Sequence, residues 1–592
     1  MLNQTWDIDA VFSAWNKDRA ESMLGEFAKR LASLKVSSVQ LGSASDAQWD
    51  AFVRSLEEMF CMYHDLSAAS SCLCAQNVDD KAAIQYASKL SAIGPDIDAV
   101  VTHFEMNIRD LSEARVSSLI ASSDFLRSRA FFVKESAQNA RFKLDRPLQA
   151  LASELGVDGI DAWGRLYERV SGQLRVKLEE GGRQVEKSPG QVLYDSPDRS
   201  VRIKEFAAVR QAWQTMLTPC AAALNHIAGS RLTLYKRLGL KDHMDMPLHQ
   251  NRLSRGSLEA MWAVVDEEKK PLLDYMAIKA KKMGVAKLSY FDLSADVSPD
   301  QDAKPLLYDE SAKVVLQSMQ TFGSRFKEFS QRAYEQRWIE AANRKGKAAG
   351  GFCTYFPTAK QSRIFLTYRD NWEGVQTIAH ELGHAYHSYV MKDLPLTLQS
   401  YPMNLAETAS TFAEHLLLDE RLRLAQGAGE RFKILSSSLD DAVAFVCNVQ
   451  ARFLFEDKVY RARKDEEADP ETMCQWMSDA QKRAYGGMLD EAGLFPEFWA
   501  SKMHFFFSGQ SFYNFPYTFG YLLSLALFER FKADPVNFPK KYDQFLSMTG
   551  SARTEDAIKQ TLDLDVSSKE FWRGSFAILR QRFDLLHALV SF

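Results

Sequence analysis

Turn-forming residues are scarce in this chain, and their scarcity constrains the fold more than any other feature of the sequence. Glycine supplies 29 and proline 17 of the 592 residues, or about 4.9% and 2.9%, against ~7% and ~5% in average proteins. Long uninterrupted elements are therefore favoured. Apolar residues such as Trp49, Phe52 and Leu56 recur three and four positions apart, which is the periodicity of one helical face. The sequence predicts a mainly α-helical protein.

One stretch rich in turn residues interrupts the helical pattern. Glycine, serine and proline cluster between residues 181 and 198, which favours a boundary there. Length alone allows about four domains of roughly 150 residues, but the residues with recognisable chemistry all lie between about 350 and 521. We therefore expect two helical halves, an N-terminal helical domain over residues 1–195 and a catalytic domain over 196–592. A polar stretch at 298–304 predicts a further loop.

Charge and cysteine content exclude several classes of protein. The 73 basic and 77 acidic residues give a net charge of −4, so we expect neither nucleic acid nor a membrane surface as partner. Seven thinly spread cysteines favour a reducing compartment over a disulfide framework. The first residues lack the basic flank of a secretory signal, and the apolar run 519–528 is about half of the ~20 residues of a spanning helix. We expect a cytoplasmic protein.

The helical pattern breaks once more between residues 346 and 368. Glycines at 346, 350 and 351 precede the segment Phe352–Phe356, and residues 363–368 are again rich in aromatic and β-branched side chains. This composition is typical of short strands. The sequence therefore predicts a small β-sheet directly before the segment that carries the clearest chemical motif.

That motif is His-Glu-Leu-Gly-His at residues 380–384, inside a long helical pattern. At 100° and 1.5 Å per residue, His380 and His384 lie about 40° apart around the helix and about 6 Å apart along it. Both imidazoles can therefore reach one ion. Glu381 lies about 60° from His384, close enough to contact a metal-bound water without binding the metal. This spacing is typical of zinc metallopeptidases.

A catalytic zinc needs a third protein ligand. His387 shares the helical face of His380 but lies about 10.5 Å further along the axis, so we expect it to have a supporting or structural role. A second helical segment contains Glu407 and Glu414, seven residues apart on one face. One of the two can bind the metal while the other accepts the second N–H of a histidine.

Residues 380–387, His-Glu-Leu-Gly-His-Ala-Tyr-His, followed by Ala-Glu-Thr-Ala-Ser at 406–410, resemble the thimet oligopeptidase and oligoendopeptidase F family of zinc peptidases, the oligoendopeptidase F branch in particular. The resemblance covers about residues 200–592. It implies that His380, His384 and Glu407 bind one Zn²⁺ per chain and that Glu381 is the general base. Glu414 then supports a histidine ligand. It also implies a gluzincin-like core with a deep channel between two helical halves, which admits only short peptides.

An aromatic segment near the C-terminus supplies candidate groups for the transition state. Residues 504–521 combine a glycine-bearing loop with histidine and several tyrosines, and the segment is similar to one in which family members contact the tetrahedral intermediate. We expect His504, Tyr513 and Tyr521 to be catalytic and Tyr517 to contact substrate. A positioned oxyanion donor is worth about 3 to 4 kcal/mol.

The predicted sheet has a second possible role, in substrate binding. In gluzincin-type peptidases the strand before the metal-binding helix pairs with the substrate backbone, which assigns this role to residues 363–368. Gly350 and Gly351 are positions where a peptide backbone can approach closely. We expect both glycines to contribute to substrate binding.

The sequence therefore favours a zinc-dependent endopeptidase that cleaves short peptides in the cytoplasm and needs no obligate protein partner. A zinc aminopeptidase of gluzincin type is the alternative, although its Gly-x-Met-Glu-Asn segment is missing and residues 486–490, Gly-Gly-Met-Leu-Asp, lack the glutamate. A catalytically silent peptide-binding protein on the same fold is a more remote alternative. Such a protein usually lacks a ligand or the base, and here all four residues are present.

Overall fold

The computed structural model describes residues 1–12, 17–298 and 305–590. Helices form most of the described chain, which confirms the mainly α-helical prediction. In the first 173 residues the helices are α1 (Lys17–Gln40), α2 (Asp46–Gln76), α3 (Lys81–Ser91), α4 (Gly94–Arg109), α5 (Glu113–Ala121), α6 (Asp124–Arg127), α7 (Ala130–Asn139), α8 (Arg146–Asp158) and α9 (Ile160–Gln173).

The turn-rich stretch after α9 contains a β-hairpin that the sequence analysis missed. Strands β1 (Val176–Glu180) and β2 (Arg183–Lys187) pair antiparallel, with Glu180 opposite Arg183. Gly181 and Gly182 form the two-residue connection with φ of 58° and 76°. A hairpin turn of this kind requires positive φ at both central residues, which only glycine adopts without strain. The Gly-Gly pair was the available signal.

The middle of the chain continues the helical array. The polar stretch predicted as a loop at 298–304 falls almost entirely outside the described residues, which exclude 299–304. The helices here are α10 (Arg199–Gln214), α11 (Leu217–Arg237), α12 (Asp245–Gln250), α13 (Arg255–Glu268), α14 (Lys270–Lys282), α15 (Tyr308–Phe322) and α16 (Ser324–Glu335).

A three-stranded sheet follows, as predicted. Strand β3 (Ile339–Glu340) runs parallel to β5 (Gln361–Phe365), and β4 (Phe352–Phe356) runs antiparallel to β5. The strand order is β3-β5-β4, so the strand preceding the metal-binding helix is central. The prediction that residues 363–368 pair with a substrate was therefore wrong: β5 already has a neighbour on each side, and among the described residues β4 pairs with β5 alone.

The remaining helices carry the candidate site. They are α17 (Trp372–Met391), α18 (Met403–Ala406), α19 (Thr408–Leu424), α20 (Ala428–Val443), α21 (Val449–Ala462), α22 (Pro470–Ala484), α23 (Phe515–Ala533), α24 (Phe538–Met548), α25 (Thr554–Leu562) and α26 (Lys569–Ala588). A π-helical turn, Ala444–Asn448, joins α20 to α21. Within the described ranges, no helix is both long enough and apolar enough to cross a membrane.

The helices and strands form two compact units that interleave along the chain. Unit 1 comprises Met1–Lys143, Asp302–Arg423 and Arg530–Asp565, and unit 2 comprises Leu144–Gln301, Leu424–Glu529 and Val566–Phe592. The domains expected from the sequence, residues 1–195 and 196–592, are each one continuous segment, whereas each unit combines several segments. These domain bounds stay a prediction.

Each unit has its own buried core. In unit 1 a hydrophobic cluster joins the N-terminal helices to the sheet, where Phe356 and Phe365 are fully buried. In unit 2, Trp572 of α26 is fully buried and meets Phe519 of α23 edge to face at 5.0 Å. The cluster in unit 1 fixes the sheet from which the chain enters α17.

Candidate metal centre and active site

Helix α17 holds the predicted metal-binding motif with its apolar face buried. The Asn371 side chain caps the helix by accepting a hydrogen bond from the Gly374 amide at 3.0 Å. Val375, Ile378 and Leu382 are fully buried, which fixes the rotation of the helix. The imidazoles of His380 and His384 leave from a different face and remain partly exposed.

Three donor atoms converge on one point beside α17. The Nε2 atoms of His380 and His384 are 3.2 Å apart, and they lie 3.3 and 3.4 Å from Oε2 of Glu407. Glu407 immediately precedes α19, and the Ser410 hydroxyl donates to its Oε2 at 2.9 Å. Within the part of the chain that the structure describes, these three residues form the only group of this kind.

The triangle fits the coordination geometry of zinc. A tetrahedral ion with bonds of about 2.0 to 2.1 Å places its ligand atoms about 3.3 Å from one another, and the three edges are 3.2, 3.3 and 3.4 Å. Two imidazoles and one carboxylate are a donor set of catalytic zinc sites, which leave the fourth position for water. The residues present therefore fit a zinc ion.

Glu414 occupies the orienting position behind His380. Its Oε1 lies 2.5 Å from Nδ1 of His380, and its Oε2 accepts a hydrogen bond from Gln376 at 2.8 Å. A proton on Nδ1 leaves the Nε2 lone pair of His380 directed at the donor triangle. The geometry thus places Glu407 in the triangle and Glu414 behind it, which separates the two alternatives that spacing alone left open.

The charges of the cluster are strongly coupled. Burial opposes the charged form of His380, but hydrogen bonds to Glu407 and Glu414 outweigh it and raise the His380 pKa to about 10. Burial likewise opposes ionisation of Glu407, yet the two histidines hold the pKa of this carboxyl well below its ordinary value. An ionised carboxylate is thus maintained where a cation would bind.

Glu381 is placed to act as a base. Its side chain is buried, and burial raises its pKa above the ordinary value although His380 and His384 oppose this. Oε2 of Glu381 has no hydrogen-bond partner among the described residues. A Cβ on Gly351 would lie 3.5 Å from Oε1 of Glu381 and 3.2 Å from the Phe365 carbonyl oxygen. Glycine therefore leaves space beside the carboxylate, and the adjoining Gly350 has a φ of 90°.

Helices α17 and α19 meet at Gly383. A Cβ at this position would overlap the Ala409 carbonyl and lie 2.6 Å from Cα of Ser410. Such distances are impossible for a real side chain, so glycine allows the two backbones to touch. Because Gly383 adjoins His384 and Ser410 follows Glu407 by three residues, this contact sets the distance between the ligands.

His387 lies outside the donor triangle. It is fully buried, its Nε2 lies 2.8 Å from Oγ1 of Thr549, and its ring stacks on Tyr401 at 4.1 Å. Burial lowers its pKa to about 3, so the imidazole is neutral at physiological pH. Its contacts are those of a residue that packs α17 against the end of α24.

The aromatic segment lies in unit 2, where it brings together three of the four predicted residues. The ring of His504 stacks on Tyr513 at 5.3 Å and meets Tyr517 edge to face at 6.2 Å. Burial and the nearby Arg452 and Lys502 lower the His504 pKa to about 4, so this imidazole is neutral and able to donate a hydrogen bond.

Tyr521 differs from its three neighbours in the sequence. It is buried in α23, and its ring stacks on Phe445 at 4.8 Å. These contacts are typical of a core aromatic residue. A catalytic role for Tyr521 stays a prediction.

The chain also matches a known protein family over most of its length. Residues 192–576 match the model of peptidase family M3, and this range is well over half of the chain. The chain belongs to peptidase family M3. The resemblance drawn from the two sequence motifs is thereby confirmed, and the protein is a peptidase.

Two relatives of this M3 peptidase are distant in sequence but match most of its length. It is 23% identical to the group B oligopeptidase PepB of Streptococcus agalactiae over 86% of this chain and 84% of the relative. It is 22% identical to the oligopeptidase PepF of Bacillus subtilis over 99% of this chain and 87% of the relative.

Solved structures share the fold of this M3 peptidase. One from Chlamydophila abortus has a TM-score of 0.86 at 18% identity and covers 99% of this chain and 98% of its own. The oligoendopeptidase-F structure from Enterococcus faecium has a TM-score of 0.74 at 17% identity, with 97% and 99% covered. At these identities the likeness concerns the fold.

Sequence reasoning missed the residues of the M3 peptidase that hold the aromatic loop. The buried Arg231 of α11 donates to the carbonyl oxygens of Phe507 and Gln510, the latter at 2.7 Å. The buried Glu456 of α21 accepts hydrogen bonds from the Phe512 amide at 2.8 Å and the Asn514 side chain at 2.6 Å. The available signal was a charged residue on an otherwise apolar helical face.

Proposed function

We propose that this M3 peptidase is a zinc-dependent endopeptidase that hydrolyses internal bonds of short peptides. The observation that carries the proposal is the triangle of His380, His384 and Glu407 donor atoms with edges of 3.2 to 3.4 Å, next to the buried carboxylate of Glu381. When bound there, one zinc ion per chain would lower the pKa of a coordinated water and polarise the scissile carbonyl.

Glu381 moves the proton in this proposal. Its carboxylate accepts a proton from the attacking water and later delivers it to the leaving amine. Burial raises the pKa of Glu381, which brings the carboxyl closer to the neutral range where one group both accepts and releases a proton. Glu414 holds the His380 ring in place by accepting its Nδ1 proton.

The edge of β4 that has no partner strand among the described residues is the proposed binding place for the peptide backbone. Strand β4 follows directly after Gly350 and Gly351, and Gly351 is the residue beside the Glu381 carboxylate. A substrate strand that pairs with β4 would be recognised through main-chain hydrogen bonds. Such recognition tolerates varied side chains, which suits an endopeptidase with many substrates.

Residues of the aromatic segment are the proposed donors to the developing oxyanion. The neutral His504, stacked on Tyr513, is the first choice, Tyr517 is a substrate contact, and Tyr521 is retained from the family resemblance. Removal of one true oxyanion donor lowers kcat by about 10² to 10³.

A cytoplasmic location also remains a prediction, with all seven cysteines free in the structure.

An N-terminally acetylated, internally quenched peptide tests the proposal against aminopeptidase action. The enzyme is assayed as purified, after removal of metal by a chelator, and after addition of one equivalent of zinc per chain. We expect cleavage of the blocked peptide to be lost with the metal and restored by zinc. Cleavage of only the unblocked peptide would favour the aminopeptidase, and no cleavage of either at full zinc content would favour the silent protein.

A further inference from the structure

Unit 2 contains a cavity of about 1050 Å³, large enough for several peptide residues or a drug-sized ligand. Its wall includes Arg452 of α21, Lys502 and His504. The arginine side chain is always cationic, and the lysine side chain usually is. The cavity therefore presents positive charge to whatever enters it.

In the part of the chain that the structure describes, neither cation is neutralised by a carboxylate. Among the described residues, no carboxylate forms an ion pair with Arg452 or Lys502, whereas most other partly buried arginines and lysines in the chain have such a partner. The Arg452 guanidinium lies over the Phe498 ring at 5.6 Å, and Lys502 Nζ lies over the same ring at 4.8 Å. Within the described ranges, both cations thus lie close to one aromatic ring without a counter-charge.

The acidic groups of the cavity wall are not available to compensate them. Asp440 accepts hydrogen bonds from Lys279 and from the Tyr275 hydroxyl, each at 2.7 Å. Glu168 and Asp441 also line the cavity, but both are exposed to solvent. Partial removal of two cations from water is unfavourable in free energy when no anion is nearby. Binding of an anion would offset this desolvation cost.

A π-helical turn holds Arg452 in position through a hydrogen bond. The π-helical turn Ala444–Asn448 brings Asn448 to the cavity wall, and π-turns of this kind are frequent at functional sites. Oδ1 of Asn448 accepts a hydrogen bond from Arg452 Nε at 2.8 Å, and its amide nitrogen lies 3.2 Å from the Tyr485 hydroxyl. With Nε engaged, the two terminal nitrogens of the guanidinium remain for a bidentate ligand.

We propose that Arg452 and Lys502 form a carboxylate-binding subsite for the peptide substrate. The inference rests on the proposed peptidase function, because a carboxylate is the anion that every peptide with a free C-terminus carries. The planar guanidinium matches a carboxylate in a bidentate manner, and the ammonium adds a second point charge. An aspartate or glutamate side chain of the substrate offers the same chemistry.

Burial and the neighbouring Arg452 lower the pKa of Lys502 to about 8. This shift has the direction expected when a cation lies beside another cation and lacks an anion. A bound carboxylate would reverse it. The lysine is thus still largely protonated at neutral pH and able to bind an anion.

Three peptides of identical internal sequence test the subsite on the full-length zinc enzyme. One ends in a free carboxylate, one in an amide, and one in an amide preceded by glutamate. We expect KM for the free acid to be at least about tenfold lower than for the plain amide, the scale of one charge-assisted contact. In the R452Q/K502Q double variant this ratio should fall to about one. K458Q, an exposed cation on the same helix, should keep the wild-type ratio.

The third peptide identifies the source of the carboxylate. If the glutamyl amide binds as tightly as the free acid, and R452Q/K502Q abolishes both preferences, the subsite accepts side-chain carboxylates as well. Equal KM values for all three peptides in the wild type, or a preference that survives in R452Q/K502Q, would overturn the proposal.

A binding measurement separates this inference from the proposed reaction. Titration calorimetry on the zinc-loaded E381Q variant, with the same three peptides, reports affinity without turnover. A preference for the acid in this titration, together with a zinc-loaded wild type that hydrolyses none of the three peptides, would refute the peptidase mechanism but support the subsite. Hydrolysis without any preference, by contrast, would support the mechanism and refute the subsite.

Discussion

The contact between α17 and α19 at Gly383 predicts that one added methyl group weakens metal binding. In G383A the new Cβ would start 2.6 Å from Cα of Ser410, whereas non-bonded carbon atoms rest about 3.5 to 4.0 Å apart. The two helices must therefore separate by about 1 Å. His384 adjoins the altered residue, and Glu407 lies one helical turn before Ser410, so the donor triangle opens by a similar amount.

That displacement is large on the scale of a zinc site. Ligand distances in zinc sites hold to within about 0.2 Å, and the present triangle already has edges of 3.2 to 3.4 Å. We expect the zinc Kd of G383A to rise at least 10- to 100-fold, which is the effect of disturbing groups that merely support zinc ligands. Overpacking should also cost about 1 to 3 kcal/mol of stability in the metal-free protein.

Competition with a chromophoric chelator measures the zinc Kd, and thermal unfolding with and without zinc measures stability. A 100-fold weaker Kd removes about 2.7 kcal/mol of zinc-dependent stabilisation. G25A is the matched control, because Gly25 lies in α1 of the same unit and a Cβ there meets nothing within 4 Å. A zinc Kd of G383A equal to those of G25A and the wild type would contradict this prediction.

Three further predictions follow from named contacts. E414Q should raise the zinc Kd about 10- to 100-fold, since the carboxylate that orients His380 is lost; an unchanged Kd in the chelator assay would show that Glu414 does not orient the ligand. Burial raises the Glu456 pKa from 4.5 to about 7. A raised carboxyl pKa contributes stability that is complete below pH 4.5 and lost as pH rises through about 7, so the difference in unfolding free energy between wild type and E456Q should fall by about 3 kcal/mol between pH 4 and 9; a constant difference in denaturant titrations would contradict this. H504A should lower kcat about 10² to 10³-fold with zinc content unchanged, and a kcat within a few-fold of wild type would remove His504 from the mechanism.

Much of the metal centre was predictable because its geometry is local. The five residues from His380 to His384 lie on one helix, and the pitch of a helix alone brings the two imidazoles together. The choice between Glu407 and Glu414 was not predictable from spacing, because it depends on how α19 lies against α17. That arrangement is set by the backbone contact at Gly383, which no periodicity reveals.

The sheet shows the same limit. The composition of residues 346–368 predicted strands, and β4 has the expected bounds of Phe352–Phe356. Strand order was inaccessible, since the two-residue β3 carries too little sequence pattern to be recognised. The central position of β5 therefore came only from the structure. This position is the reason that we propose β4 as the edge that binds substrate.

Charged residues that hold the aromatic loop or line the cavity of unit 2 were also missed. Arg231 and Glu456 hold the aromatic loop, and Arg452 and Lys502 face the cavity of unit 2. In the sequence each is one charge on an amphipathic helix or loop, where charged residues are usually solvated. Only partial burial and the lack of a carboxylate partner in the described part of the chain distinguish the last two.

The central claim is that Glu381 is the base beside a zinc ion held by His380, His384 and Glu407. The most direct test compares E381Q with the wild type in two measurements on the same preparation, zinc per chain and the rate of cleavage of an N-terminally blocked peptide. Glutamine keeps the size of the side chain but cannot accept the proton at neutral pH. We predict one zinc per chain in both proteins and a loss of cleavage in E381Q, whereas an E381Q enzyme that retains zinc and cleaves at the wild-type rate would contradict the account.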